Sequence, residues 1–376
     1  MNRTHRYHYL SLIPIKPMDT ESKPKLVATK AATGVKHVVR LYDPRTWRQK
    51  GWLWTAGLML LTYAVVVVVL GIYWSYEPDF FNVHENALEK AEGDEAKLVP
   101  GYTTTAAVIG VAEALLNKPG GYLSNDVTPP GIYLDNMPNW EFGVLTEVRD
   151  VARALRNDFS RSQTQSLEDR DLAVADPQFN YESESWILPS TESEYRKGIA
   201  ALYRYLHRLA DERDYDGQFY TRADNLAAYL ELVRKRLGNF TQRLAASIGQ
   251  ERLNLDLVGE PRARRSTPVP EPRFVQTPWL EVDDIFYEAR GYTWALLHIL
   301  EALAIDFQPV LTDKNARVSF QQIVRELQAA NAAMWSPMVL NGTGFGLLAN
   351  HSLVMASYLA SANAAVSDLV SLLRQG

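Results

Sequence analysis

Cysteine is absent from all 376 residues, which excludes disulfides, thiolate metal sites and a cysteine nucleophile together. The absence also agrees with placement in an oxidising compartment. The motifs of nucleotide and hydrolase chemistry are missing too. Gly342, Gly344 and Gly346 alternate with other residues, but no strand precedes them and no Gly-Lys-Ser/Thr follows. There is no Gly-x-Ser-x-Gly elbow and no His-Glu-x-x-His. A net charge of −5 offers no electrostatic footprint for nucleic acid.

One further absence organises the chain. Gly51 to Tyr76 is 26 residues without a charged side chain, bounded by Lys50 and Glu77. With a rise of about 1.5 Å per residue, its most apolar part, Trp52 to Trp74, is long enough to cross a hydrocarbon core of roughly 30 Å. Trp52 and Trp54 lie at one end and Tyr73, Trp74 and Tyr76 at the other, as amphipathic rings do at membrane interfaces. The stretch is expected to be a transmembrane signal anchor rather than a cleaved signal peptide, because a long charged leader precedes it and no small-x-small site follows.

Residues 1–50 carry eleven Lys or Arg against three Asp or Glu, about +8, and the remainder carries about −13. Lys36, Arg40, Arg45, Arg48 and Lys50 fall in the zone where basic residues are held on the cytoplasmic side. The N-terminus is therefore expected in the cytoplasm and the C-terminal part outside. The basic tail reads as a topology determinant in contact with anionic headgroups, not as a nucleic-acid arm.

Four regions follow. Residues 1–50 are a basic cytoplasmic tail, partly disordered, in which Val35 to Trp47 is either a short amphipathic surface piece ended by Asp43-Pro44 or plain linker. Residues 51–76 are the anchor and 77–100 a linker. Residues 101–376 read as an all-α domain of six or seven long helices with long loops. Thr104 or Thr105 caps a helix through Leu116, and Asn139 caps one through Phe159. Thr191 with Glu194 boxes the next. Leu226, Tyr229, Val233, Leu237, Phe240, Leu244 and Ile248 form a narrow stripe over Thr221 to Ile248. Helices are also expected over Glu281 to Phe307, over Phe320 to Met334 behind a Ser319–Gln322 box, and over Gly346 to Leu373. Residues 249–278, with five prolines beside Arg262, Arg264 and Arg265, read as an exposed loop.

The long loop from Lys118 to Glu141 is the leading place for binding, because a loop of this length without its own period is more often functional than idle. Tyr122, Asn125, Asp126, Tyr133, Asp135, Asn136, Trp140 and Glu141 are the candidates. Their carboxylates and amides can bind a glycan, a peptide or a cation, or Glu141 with Asp126 or Asp135 can form a glycosidase-type pair. The alternative is that the rings plug the end of the bundle and the Asx side chains satisfy turns. A weaker arrangement joins His298, Glu301 and His351 as metal ligands, with Asp283, Asp284 or Glu288 near in sequence. No metal and no cofactor are favoured.

The run Pro119 to Leu145, with Gly120-Gly121-Tyr122-Leu123-Ser124-Asn125-Asp126, Pro129-Pro130-Gly131 and Asp135-Asn136-Met137-Pro138-Asn139-Trp140-Glu141-Phe142-Gly143, resembles the proteobacterial family of domain of unknown function 2333. Thr293 to His298 and Ala349 to Leu353 belong to the same resemblance, which covers about residues 50 to 375. It implies a Gram-negative inner-membrane protein, for which the charge rule places the helical domain in the periplasm, and it supplies no catalytic residues. The resulting expectation is a single-span envelope protein with an interaction or scaffold domain, an envelope protein partner and self-association through the spanning or last helix. A glycan- or peptidoglycan-binding or -cleaving protein using the 118–141 loop is the alternative.

Overall fold

The computed structural model describes residues 40–162, 167–211, 216–252, 273–334, 336, 338–343 and 347–375. The chain forms two compact units, residues 1–66 and 67–376. In the first, α1 (Pro44–Lys50) begins where a stop was expected. The Asp43 carboxylate caps it by accepting from the Arg45 N–H at 2.9 Å, and Pro44 stands at the first helical position, where its missing N–H leaves nothing unsatisfied. Left-handed Gly51 ends α1, and α2 (Trp52–Trp74) starts at once.

The rest of the described chain is α3 (Val83–Lys90), α4 (Tyr102–Asn117), α5 (Asn136–Ala154), α6 (Leu172–Phe179), α7 (Thr191–Leu209), α8 (Ala223–Ala245), α9 (Val282–Asp306), α10 (Gln308–Asp313), α11 (Arg317–Ala330) and α12 (His351–Arg374). A two-stranded antiparallel hairpin, β1 (Gln250–Arg252) with β2 (Arg273–Val275), closes the base of the Pro/Arg-rich loop. Arg262, Arg264 and Arg265 in that loop, Gly344 and Gly346, and residues 1–39 lie outside the described residues. Among those described, the fold is all-α apart from this hairpin, with seven helices of fourteen or more residues after residue 101.

Helix α9 is the axis. Every residue from Glu288 to Leu300 is buried, so no polar face remains and neighbours must surround it. It packs on α5, α4 and α11, while α12 lies along α8 and α11. The α5–α9 crossing depends on two glycines. A Cβ on Gly143 would overlap the Glu288 carbonyl oxygen, and one on Gly291 would overlap that of Trp140. Small residues are what let two helix backbones come this close.

Among the described residues two helices are long and apolar enough to cross a membrane. The most apolar window of α12 is 39 % buried and that of α2 only 6 %. The α12 apolar stripe is therefore covered by the protein, and in α2 Gly71 is the one buried residue, with most of the others exposed.

Several helix boundaries differ from the pattern expected of the sequence, and at Thr104 and Asn139 the reason is a distant partner. The 77–100 segment is more than a linker: Asn82 caps α3, and Val83 and Ala87 are buried as α3 packs on α4. Thr104 is inside α4, not at its cap, and its N–H and hydroxyl both donate to Asp306 Oδ2 at 2.8 and 2.6 Å. Asp135 caps α5 in place of Asn139, whose amide reaches Asp284 at 2.7 Å. Thr191 opens α7 and donates to the Glu182 and Ser185 carbonyls rather than capping it. Ser319 is within α11, and Asn350 caps α12. The polar stretch before Pro189 contains α6.

Candidate functional site

The 118–141 loop is held by one buried ion pair. Lys118 Nζ lies 2.6 Å from Glu141 Oε1 with both side chains fully enclosed, and the ammonium also donates to the Gly121 carbonyl at 2.6 Å. Glu141 further accepts from the Leu123 N–H at 2.8 Å, the Ser124 N–H at 2.8 Å and the Ser124 hydroxyl at 2.5 Å. Burial raises the Glu141 carboxyl and lowers the Lys118 ammonium from their ordinary values, and their contact opposes both shifts. Glu141 thus ties α5 to the loop, and its oxygens are engaged.

The other loop candidates are divided in the same way. The Tyr122 hydroxyl donates to the Ser183 carbonyl at 3.0 Å, and Asn125 donates to the Ser185 carbonyl and to Glu192. Trp140 is wholly buried, its ring 5.3 Å from that of Trp294. Asp135 is the α5 cap, and it accepts from the N–H of Asn136. Asp126 packs over Gly131, and burial, then Glu192, raise its carboxyl. Tyr133 projects, 73 % exposed, and Asp135 is exposed as well. The loop's polar groups are turned to separate structural tasks and do not converge on one ligand.

Among the described residues no group of three His, Asp or Glu side chains is placed to hold a metal ion. Both nitrogens of His298 are occupied: Nδ1 donates to the Trp294 carbonyl at 2.8 Å, and Nε2 accepts from the Phe81 N–H at 3.2 Å. Burial pushes its pKa down to about 4. His351 Nδ1 accepts from the Leu340 N–H, so Glu301, three residues from His298, gains no partner ligand from it.

A buried carboxyl that the sequence reading passed over is Glu147, at the junction of α5, α8 and α9. Its Oε1 accepts from the Tyr229 hydroxyl, and the Tyr292 hydroxyl faces the same carboxyl. Burial, and then the nearby Asp150 charge, push its pKa up to about 8. The group is a proton carrier of the core at neutral pH.

An open concavity of 910 Å³ begins at the last turns of α2. Val67, Val68 and Ile72 form one wall, Tyr133 and Leu134 of the loop another, and Met334 a third. Three contacts fix these walls. A Cβ on Gly71 would lie 3.6 Å from Pro130, Trp74 lies against Gly120, and Arg290 joins Glu77 at 2.6 and 2.8 Å. Arg290 also donates to the Asn331 and Ala332 carbonyls, so one guanidinium binds the segment after α2, α9 and the segment after α11 together. Such a groove suits an apolar segment and offers no acid–base pair.

A family model described as an uncharacterised protein conserved in bacteria, DUF2333, matches residues 47–376. No curated protein matches the chain, and no solved structure does.

Proposed function

The chain belongs to the DUF2333 family of bacterial proteins, and from that premise we propose that it is a single-pass inner-membrane protein whose periplasmic helical domain is a docking scaffold in the cell envelope. The observation that carries this reading is α2, 23 residues without charge of which Gly71 alone is buried. Exposing such a surface to water costs roughly 25 cal/mol per Å², and a hydrocarbon phase removes that cost. Basic residues including Arg40, Arg45, Arg48 and Lys50 before α2 favour a cytoplasmic N-terminus, which leaves the domain on the periplasmic side.

The groove supports a protein partner. Its Val67, Val68 and Ile72 wall belongs to the anchor itself, so the groove continues the surface that a neighbouring membrane helix would touch. Ile132 and Tyr133 extend that apolar surface into the open. The occupant is an envelope protein with its own spanning helix beside α2. A glycan-cleaving role draws no support, since Glu141 is enclosed and ion-paired.

A chain without cysteine is ready for single-cysteine mapping. In spheroplasts an impermeant maleimide should label Ser371→Cys and reach Ser11→Cys only after permeabilisation. The reverse pattern, or release of the protein by alkaline carbonate, overturns the anchor. A photo-crosslinker at Tyr133 should capture a discrete membrane protein. Lipid adducts alone, or a second copy alone, overturn the scaffold role while leaving the anchor standing.

A further inference from the structure

A second concavity, 260 Å³, lies between α5, α8 and the start of α9. At roughly 30 Å³ per water in the liquid, it has room for a small ligand and not for a polymer. Its lining is spaced for the purpose on two helices. Arg149 and Arg153 are four apart on α5, and Arg236 and Arg243 are seven apart on α8, so each pair shares one helix face.

The charges of this cleft do not cancel. Arg236 forks onto Asp150 at 2.6 and 3.0 Å, and Arg243 onto Glu288 at 2.9 and 2.5 Å, giving two neutral pairs. Arg149 meets only neutral acceptors, the Phe179 and Tyr181 carbonyls and the Tyr195 hydroxyl. Arg153 is exposed and has no partner among the described residues. Two guanidinium charges therefore face one cavity without a carboxylate partner, since Asp150 and Glu288 are taken by Arg236 and Arg243. Glu147 behind them holds a proton at neutral pH and adds no negative charge to oppose an anion. Two uncompensated guanidinium charges match the charge of a dianion, and the open fork of Arg153 matches its oxygen geometry, while Arg149 is held in place by the carbonyls it engages.

We propose that the Arg149–Arg153–Arg236–Arg243 cleft binds a phosphate monoester dianion. The proposal rests on this geometry and not on the membrane anchor. A phosphate monoester carries about −1.5 to −2 charge at neutral pH, which balances the two uncompensated arginines, and the ion-paired Arg236 and Arg243 hold the walls apart. The same phosphate chemistry is offered by a soluble ester and by the headgroup of phosphatidic acid.

The test uses the full chain in nanodiscs of phosphatidylcholine, titrated calorimetrically with inorganic phosphate and with glycerol 3-phosphate at constant ionic strength. Parallel discs containing phosphatidic acid are assayed for displacement by the soluble ester. Saturable one-to-one binding is expected, weakened about tenfold or more by Arg153→Gln, since a hydrogen bond between charged groups is of that order. Arg153 has no partner among the described residues, so its variant should melt with the wild type; Arg325→Gln, exposed on α11, should bind within about twofold of the wild type if the cleft is the site. Binding of soluble ester identifies a free ligand, and a response confined to phosphatidic acid discs identifies a headgroup. No saturable binding in either arm, or equal weakening by Arg153→Gln and Arg325→Gln, overturns the proposal.

Discussion

Glu147 gives this protein a stability that falls as pH rises through neutrality, opposite to the usual effect of a carboxylate. Its pKa is about 8 in the fold against 4.5 for the free side chain. Between those values the folded state keeps a proton that the unfolded state has lost, so stability declines by roughly 1.4 kcal/mol per pH unit. The contribution is complete below the unfolded value and is lost as pH rises through the folded one. The groups facing Glu147 are Asp150 on its own helix, Tyr229 and Arg236 on α8 and Tyr292 on α9.

Two other shifted groups finish titrating lower down. Asp306, at about 6, acts in the same direction between 3.8 and 6. His298, at about 4, acts oppositely between 4 and 6.5. Glu141, Asp126 and Glu301 are also raised by burial, so the Glu147 share is the difference between wild type and Glu147→Gln; integrating that share from pH 6.5 to 8 gives roughly 1.5 kcal/mol lost, about 3 °C in melting temperature for a domain of this size. The assay is a urea midpoint, or a melt followed by the buried Trp140 and Trp294, at half-unit pH steps on wild type and Glu147→Gln. The variant should lose this slope and be the more stable protein at pH 8. Parallel profiles for the two proteins would refute the reasoning.

Lys118→Met should cost about 3–5 kcal/mol because it strands the buried Glu141 carboxylate, and Lys118→Met with Glu141→Gln should cost less than the single change; a sum of two independent losses in urea melts would contradict the pairing. Gly143→Ala should destabilise by about 3 kcal/mol through overlap with the Glu288 carbonyl, whereas Gly238→Ala, whose nearest new neighbour is Asn363 at 3.6 Å, should gain roughly 0.5–1 kcal/mol from helix propensity. Equal effects at the two glycines would show that α5 and α9 do not meet so closely. Arg290→Met should cost about 2–3 kcal/mol and raise hydrogen exchange around Asn331 and Ala332, whose carbonyls it engages; unchanged exchange there would remove Arg290 from its clamping role.

Much of the helical framework was legible because periodicity is a local property. The stripe from Leu226 to Leu244 foretold α8 within two or three residues at each end, and Ile285 to Leu303 foretold α9. Boundaries were read less well, since a cap competes with long-range partners: Thr104 has the chemistry of an N-cap and instead bonds to Asp306, 202 residues away. At the loop, two readings of Glu141 were open in the sequence, and only the return of Lys118 to its side separates a catalytic carboxylate from an enclosed tie. The arginine cleft had a signal that an apolar search passes over. Arg149 with Arg153, and Arg236 with Arg243, repeat at helical spacing, but nothing in one helix tells that the other faces it.

The sequence by itself determined the elements and the sign of the charge across them: a bare apolar helix behind a basic tail, then amphipathic helices whose stripes require partners. These follow from side-chain type and spacing along a chain, which need no knowledge of the fold. Tertiary structure decided which charges are neutralised. Arg236 and Arg243 find carboxylates, while Arg149 finds carbonyls and Arg153 no partner among the described residues. That division depends on distances between helices far apart in sequence, and electrostatic interaction inside a protein changes severalfold with such distances and with burial.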